Sequence, residues 1–252
     1  MNKKLAVITG GSRGLGRSMA LQLAKRGVDS VVTYRSQRDE ADKVVELLRS
    51  AGARGAALQL DVGKVETFDA FRTALKGALQ STWERDRFDI LINNAGHGAR
   101  APFAEMTETD FDALFNVHLK GPYFLTQRLL PLIAEGGRIL NLSSGLARFC
   151  TPGYSAYAAM KGGVEVLTRY LAQELGQRGI TANTIAPGAT ATDFAGGLIR
   201  DNGDYRKMIA SRTALGRVGE PDDVGAAVAS LLIEGTGWIN GQLIEISGGM
   251  NL

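Results

Sequence analysis

The stretch "LAVITGGSRGLG", Leu5–Gly16, decides the fold. Five aliphatic or β-branched residues, Leu5–Thr9, run into a glycine-rich turn, and helical spacing takes over near Leu15. Glycines at 10, 14 and 16 allow a tight turn and bring the free N–H groups of a helix start close to whatever approaches. Alone, such a loop is an ordinary strand-to-helix turn, and its spacing departs from G-x-G-x-x-G. Its meaning rests on the remainder of the chain.

The alternation recurs along the chain. "SVVTY" at 30–34, "AALQL" at 56–60, "DILI" at 89–92, "RILNL" at 138–142, "TANTIA" at 181–186 and "LIEI" at 243–246 read as buried strands. Helical patterns lie between them, at 15–26, 39–50, 68–79, 109–133, 154–177 and 221–233. This predicts a single doubly wound α/β domain over residues 1–252, a Rossmann-type fold with a mostly parallel sheet of about seven strands. The unusual residues come after the strands: "DV" at 61–62, "NNAG" at 93–96, "SSG" at 143–145 and "PGATATDF" at 187–194. With the glycine loop, all fall at the carboxyl ends of strands, where open α/β sheets bind ligands.

Composition narrows the class. A chain of 252 residues with 44% hydrophobic and 22% charged residues describes a globular protein with a large core. One cysteine, Cys150, excludes an internal disulfide and a cysteine-based zinc site and fits a reducing compartment. The amino-terminal "MNKKLAVITG" is too short for a signal peptide's apolar core, and no run approaches the roughly 18 apolar residues of a spanning helix. A cytoplasmic protein without membrane partners is expected. A net charge of +3 with scattered Lys and Arg gives nucleic-acid binding no support.

The second strand ends in "VVTYRS", 31–36, with no carboxylate before Asp39. A chain preferring NAD usually places an acidic residue there for the ribose 2′-hydroxyl. Arg35 and Arg13 would instead pair with a 2′-phosphate, so NADP(H) is the expected cofactor, against the plainer reading of two solvated charges. "YSAYAAMKGG" at 154–163 puts Tyr157 and Lys161 on one helix face, and Ser144 lies just past the fifth strand. A phenol with a pKa near 10 is a poor acid-base group at neutral pH, and the Lys161 ammonium is expected to lower it. Ser144 would donate a hydrogen bond to a substrate oxygen as charge develops there.

Taken in order, "TGGSRGLG", Asp61, "NNAG", Ser144, "YAAMK" at 157–161, "PGATATD" at 187–193 and "GGM" at 248–250 resemble the short-chain dehydrogenase/reductase family over nearly the whole chain. The resemblance implies Tyr157 as general acid in carbonyl reduction, Lys161 also holding the nicotinamide ribose, and Ser144 orienting the carbonyl. It implies a cofactor cradle of Gly10, Ser12, Arg13, Gly14, Leu15 and Gly16, with Asp61 and Val62 at the adenine. Asn94 and Gly96 would pack near its ribose, and Gly188, Thr190 and Thr192 would hold the nicotinamide end. It also implies a homotetramer, and the wide apolar surface of helix 154–177 agrees.

One residue departs from the pattern. His118 stands where the family usually carries an asparagine, and Asn116, two residues away, would point about 200° elsewhere on a regular helix. A neutral imidazole has one donor and one acceptor, so His118 would still hold a relay water. With an ordinary pKa near 6.5 it would also add a pH dependence that asparagine lacks, and the competing reading is mere packing.

Residues 189–212 are expected to cover the substrate, with Gly196 and Gly197 permitting motion, and His97, Phe149, Tyr154 and Phe194 to line its pocket. The chain is also similar to 3-oxoacyl-[acyl-carrier-protein] reductases, which tend to present basic residues on two helices to an acidic carrier. Here those places hold Glu135 and Gln173, which favours a free small-molecule carbonyl or alcohol as substrate. The alternatives are a carrier-bound 3-oxoacyl substrate, or a non-catalytic protein that binds NADP(H) and sequesters a ligand.

Overall fold

The computed structural model describes residues 3–233 and 235–252. Seven strands form one sheet: β1 (Leu5–Ile8), β2 (Asp29–Tyr34), β3 (Gly55–Gln59), β4 (Phe88–Asn93), β5 (Ile133–Leu142), β6 (Thr181–Pro187) and β7 (Leu243–Ile246). Their order is β3-β2-β1-β4-β5-β6-β7, and every pairing is parallel. The order reverses between β1 and β4, so a crevice opens there at the carboxyl edge.

Helices cover both faces. On one lie α1 (Gly14–Ala24) and α2 (Arg38–Ser50), with α9 (Pro221–Leu232) beside α1; their apolar residues pack on Ala6, Ile8 and Val32. On the other, α3 (Phe68–Trp83), α5 (Gly121–Leu129) and α6 (Ser155–Leu175) pack on Leu5, Val7 and Leu91. Because both faces are covered, β1 is buried at all four positions and reads as a continuous apolar run. Each such Leu or Ile contributes about 1.5–3 kcal/mol by leaving water. The α1–α9 contact depends on Gly225, whose added Cβ would lie 2.3 Å from Ser18 Oγ. Ser18 in turn donates to Asp222 at 2.6 Å.

The expected helix over 109–133 is interrupted. The chain forms α4 (Glu108–Phe115), a π-helical turn over Asn116–Lys120, α5, and a 3-10 turn over Leu130–Leu132. The wide turn is closed by the Gly121 N–H donating to the Asn116 carbonyl. Gly121 also lets α5 approach the loop after β3, since a Cβ there would sit 2.3 Å from the Val62 carbonyl oxygen. β5 begins at Ile133, earlier than the apolar run at 138–142 suggests. The segment expected to cover the substrate folds into a 3-10 turn (Phe194–Gly197), α7 (Leu198–Asp201) and α8 (Gly203–Ala210). No helix among the described residues is long and apolar enough to cross a membrane.

Candidate active site

The carboxyl edge is assembled by its loops. Gly10 and Gly14 have φ of 63° and 54°, the left-handed region that favours glycine. A Cβ on Gly16 would lie 2.4 Å from the Gly10 carbonyl oxygen, so the turn must be this tight. No side chain caps α1, whose N-cap is Arg13, so its first N–H groups remain available to an anion. Thr192 faces Gly14 across a narrow slot, 3.7 Å from where a Cβ would stand. Arg13 and Arg35 are exposed at the rim, and neither has a carboxylate within 4.0 Å among the described residues. Uncapped amides and two unpaired guanidiniums fit the phosphates of NADP(H).

Neighbouring loops brace this cradle. The Asn94 amide donates to the carbonyls of Thr9 at 2.8 Å and Gly10 at 3.2 Å, so Asn94 shapes the glycine loop itself. Asp61 accepts from the Gly63 N–H at 3.0 Å and fixes the turn after β3, with Val62 buried beside it. Gly188 donates its N–H to Ile246 O at 2.9 Å, and Thr190 donates its hydroxyl to Gly188 O at 3.0 Å. Ser12 and Leu15 lie in the loop and first turn, both half-buried.

Tyr157 and Lys161 project from the first turns of α6 and are 7% and 6% exposed. Lys161 Nζ donates to the Leu142 carbonyl at 2.7 Å and lies 5.5 Å from the Tyr157 ring centre. Burial pushes the Lys161 ammonium down to about 7. Tyr157 moves opposite to the sequence expectation: burial raises its phenol above the usual value, and a hydrogen bond with Ser144 only partly opposes this. Spacing along a helix identifies a neighbour, but here Lys161 turns toward Leu142 and both groups are dry. Tyr157 is therefore held as the phenol, the form that donates a proton.

His118 lies inside the π turn, 1% exposed, with its ring edge-on to Tyr157 at 5.1 Å between centres. Its Nε2 is 2.6 Å from the His97 carbonyl oxygen, closer than the His97 N–H at 3.4 Å, so Nε2 carries the hydrogen and donates. Nδ1 is then an acceptor, buried without a protein partner. Gly96 makes room for this ring, since a Cβ would lie 2.6 Å from His118 Cε1. Burial, reinforced by Lys161, pushes the His118 pKa down to about 2, so the expected pH dependence near neutrality is corrected: this imidazole stays neutral.

His118, Lys161, Asn93 and Asn141 line one narrow gap that is too small for a water as the side chains stand. Asn93 donates to Thr126 Oγ1 at 3.0 Å and Asn141 Oδ1 at 2.8 Å, which leaves its own Oδ1 unpartnered. Asn93 stood inside "NNAG" in the sequence, but nothing in the pattern separated its inward amide from Asn94's brace.

Three of the four expected pocket residues lie near Tyr157 or His118. Phe194 is 6.0 Å and Tyr154 6.5 Å from the Tyr157 ring centre, and His97 is 5.6 Å from His118. Phe194 lies directly over Gly98, where a Cβ would meet its ring at 2.9 Å. Phe149 packs instead against the cluster of Ala191, Ile209, Val218 and Met250 beneath the covering segment. Among the described residues no group of His, Cys, Asp or Glu could hold a metal ion.

Comparison with known proteins agrees with this geometry. A family model described as enoyl-(acyl carrier protein) reductase matches residues 10–251. A short-chain dehydrogenase/reductase of Pestalotiopsis microspora, GME11373, is 34% identical, over 99% of this chain and 96% of its own. The 3-oxoacyl-[acyl-carrier-protein] reductase FabG of Staphylococcus epidermidis is 36% identical, over 99% of each chain. Among solved structures, the angucycline C-6 ketoreductase LanV with bound NADP superimposes with a TM-score of 0.93 at 35% identity, over 98% of this chain and 95% of that one. The chain belongs to the short-chain dehydrogenase/reductase family of oxidoreductases.

Proposed function

We propose that this protein is an NADP(H)-dependent reductase of a free small-molecule ketone or aldehyde, with Tyr157 as proton donor, and that it also runs the reverse oxidation. The observation that carries this reading is a buried Tyr157 with Lys161 Nζ 5.5 Å from its ring centre and Phe194 and Tyr154 beside it at the cofactor edge. The α1 amides and Ser12 hold the pyrophosphate, Arg13 and Arg35 the 2′-phosphate, and Lys161 with Thr190 and Thr192 the nicotinamide end. Bound there, the reduced nicotinamide supplies the hydride. Ser144 fixes the carbonyl oxygen, and Tyr157 gives its proton to that oxygen as the carbon is reduced. LanV, similar over nearly the whole chain, binds NADP, which supports the cofactor.

Tyr157 must recover its proton. Lys161, His118 and Asn93 line one narrow gap, and His118 Nδ1 and Asn93 Oδ1 are acceptors without protein partners. As the side chains stand, the space between them admits no water, so a relay water that returns the proton from solvent through Lys161 would enter only once they part, with His118 Nδ1 and Asn93 Oδ1 as the acceptors that would hold it. In this reading His118 takes over the relay place of the family's asparagine as a neutral acceptor.

The carrier-bound alternative retains some support, because FabG of Staphylococcus epidermidis is similar end to end. Glu135 is also not a bare acidic site: Arg178 pairs with it at 2.8 Å and Arg87 at 3.8 Å. The exposed Gln173 still lacks the positive charge a carrier would meet. A homotetramer accounts for the exposed Phe103, Phe111, Phe115, Tyr123 and Tyr170 around α4, α5 and α6. Light scattering is expected to give four times the 26.8 kDa of one chain. The cytoplasm fits the exposed lone thiol of Cys150.

The test is NADPH consumption against a panel of ketones, aldehydes and diketones, with NADH and a 3-oxoacyl-carrier substrate in parallel. Turnover of free carbonyls that prefers NADPH and needs Tyr157 is expected. Faster turnover of the carrier-bound substrate would replace the free-carbonyl reading with its alternative.

A further inference from the structure

The rings that surround Tyr157 end at a cation. Arg100 belongs to the loop after β4 and is exposed, and its guanidinium carbon lies 5.9 Å from the centre of the Tyr154 ring. No carboxylate lies within 4.0 Å of it among the described residues. Its position is fixed from two sides. The Ala101 N–H donates to the Gly153 carbonyl at 3.1 Å, and a Cβ on Gly153 would lie 2.9 Å from Arg100 Cγ. Gly153, with φ of 90°, therefore supplies the flat floor on which the arginine stem rests.

The neighbours set the chemistry this cation meets. From Tyr157 the path runs over Tyr154, 6.5 Å away, to the guanidinium, with Phe194 on the covering segment closing the other side of Tyr157. Planar apolar walls suit a flat ring system, and an unpaired guanidinium fork suits a carboxylate, sulfonate or phenolate.

We infer that Arg100 is a specificity-determining residue that selects a cyclic or aryl ketone bearing an anionic group, with the carbonyl at Tyr157 and the anion at the guanidinium. The inference deepens the reductase reading and rests on it for the position of the carbonyl. Arg100 touches no reacting atom, so its influence falls on substrate binding and leaves the proton donor unchanged.

The probes are 4-acetylbenzoate and its methyl ester, alike in ring and ketone and different in charge. Each is titrated calorimetrically into the enzyme saturated with NADP+, where no reduction occurs, and each is then assayed for turnover with NADPH. Wild type is expected to bind the acid about tenfold more tightly than the ester. Arg100→Gln should abolish that preference with ester binding unchanged, and Arg100→Lys should keep part of it, since the charge survives without the fork. In turnover the acid's KM should rise in Arg100→Gln while kcat stays within about twofold. Equal affinity of wild type for acid and ester, binding of neither included, would overturn the inference, as would an equal loss for both in Arg100→Gln. Selective acid binding without NADPH oxidation would uphold Arg100 and count against the reductase reading.

Discussion

The two edges of the sheet differ in how they hold their ionisable groups, although Ser30 Oγ and Thr181 Oγ1 at strand starts are also buried without partners. At the amino edge, the buried Asp29 carboxylate accepts from Arg54 N at 2.8 Å, Arg54 Nε at 3.1 Å and Trp83 Nε1 at 2.8 Å. Nearby, Asp89 accepts from Leu5 N at 2.8 Å and Arg85 Nη2 at 3.0 Å. At the carboxyl edge, His118 Nδ1 and Asn93 Oδ1 are buried without protein partners, and Lys161 sits dry beside an unionised Tyr157. Satisfied charges fasten β1, β2 and β4 to the helices, whereas incompletely satisfied groups are left to be completed by cofactor, water and substrate. Mutations at the two edges should therefore separate stability from turnover.

The largest effect belongs to the catalytic edge. Tyr157→Phe is expected to lower kcat by about a thousandfold while the urea midpoint stays near that of wild type, because only the hydroxyl proposed as the proton donor is removed. The mirror case is Asp29→Ala, expected to cost about 3 kcal/mol of stability in urea unfolding by leaving Trp83 Nε1 and the Arg54 N and Nε donors without their acceptor, with kcat of the remaining folded enzyme near wild type. If Asp29→Ala reduced kcat as strongly as it reduced stability, the division between edges would fail.

His118 sharpens the comparison through pH. Its folded pKa is about 2 against 6.5 for an unperturbed histidine, so between those values the unfolded chain binds the additional proton. His118 therefore leaves stability unaffected above about pH 6.5 and lowers it as pH falls below, by up to about 1.4 kcal/mol per unit. His118→Asn should flatten the acid limb of the urea midpoint against pH. It should add no inflection to kcat between about pH 6 and 9, and an inflection present only in wild type would mean that the imidazole titrates there. The smallest effect concerns the rim: Arg35→Ser is expected to raise KM for NADPH about tenfold and leave KM for NADH unchanged. An equal rise for both cofactors would remove Arg35 from the 2′-phosphate.

How much of this was legible in the sequence depends on the range of the interactions. β1, β4 and β6 are covered on both faces, so their apolar runs stand out locally, and the motifs at their ends mark the carboxyl edge. Ser144, Tyr157, Lys161, His97, Tyr154 and Phe194, all singled out from the sequence, lie close to one another. The π turn was not legible, because Gly121 adopts it against the Val62 carbonyl, a contact between distant segments. The protonated state of Tyr157 was not legible either, since helical spacing shows Lys161 nearby but not that burial outweighs it. Arg100 gave no signal because Gly153 and Tyr154, which fix it, lie far along the chain.

The most direct test of the central claim is isotopic. NADPH carrying deuterium at the transferable position of its nicotinamide is incubated with the best ketone of the panel, and the product alcohol is examined by mass spectrometry. The account predicts one deuterium on the carbinol carbon with wild type and, in the same time, about a thousandfold less labelled alcohol with a folded, cofactor-binding Tyr157→Phe. An alcohol formed without the label, or no alcohol from a wild type that binds both NADPH and ketone, would contradict it.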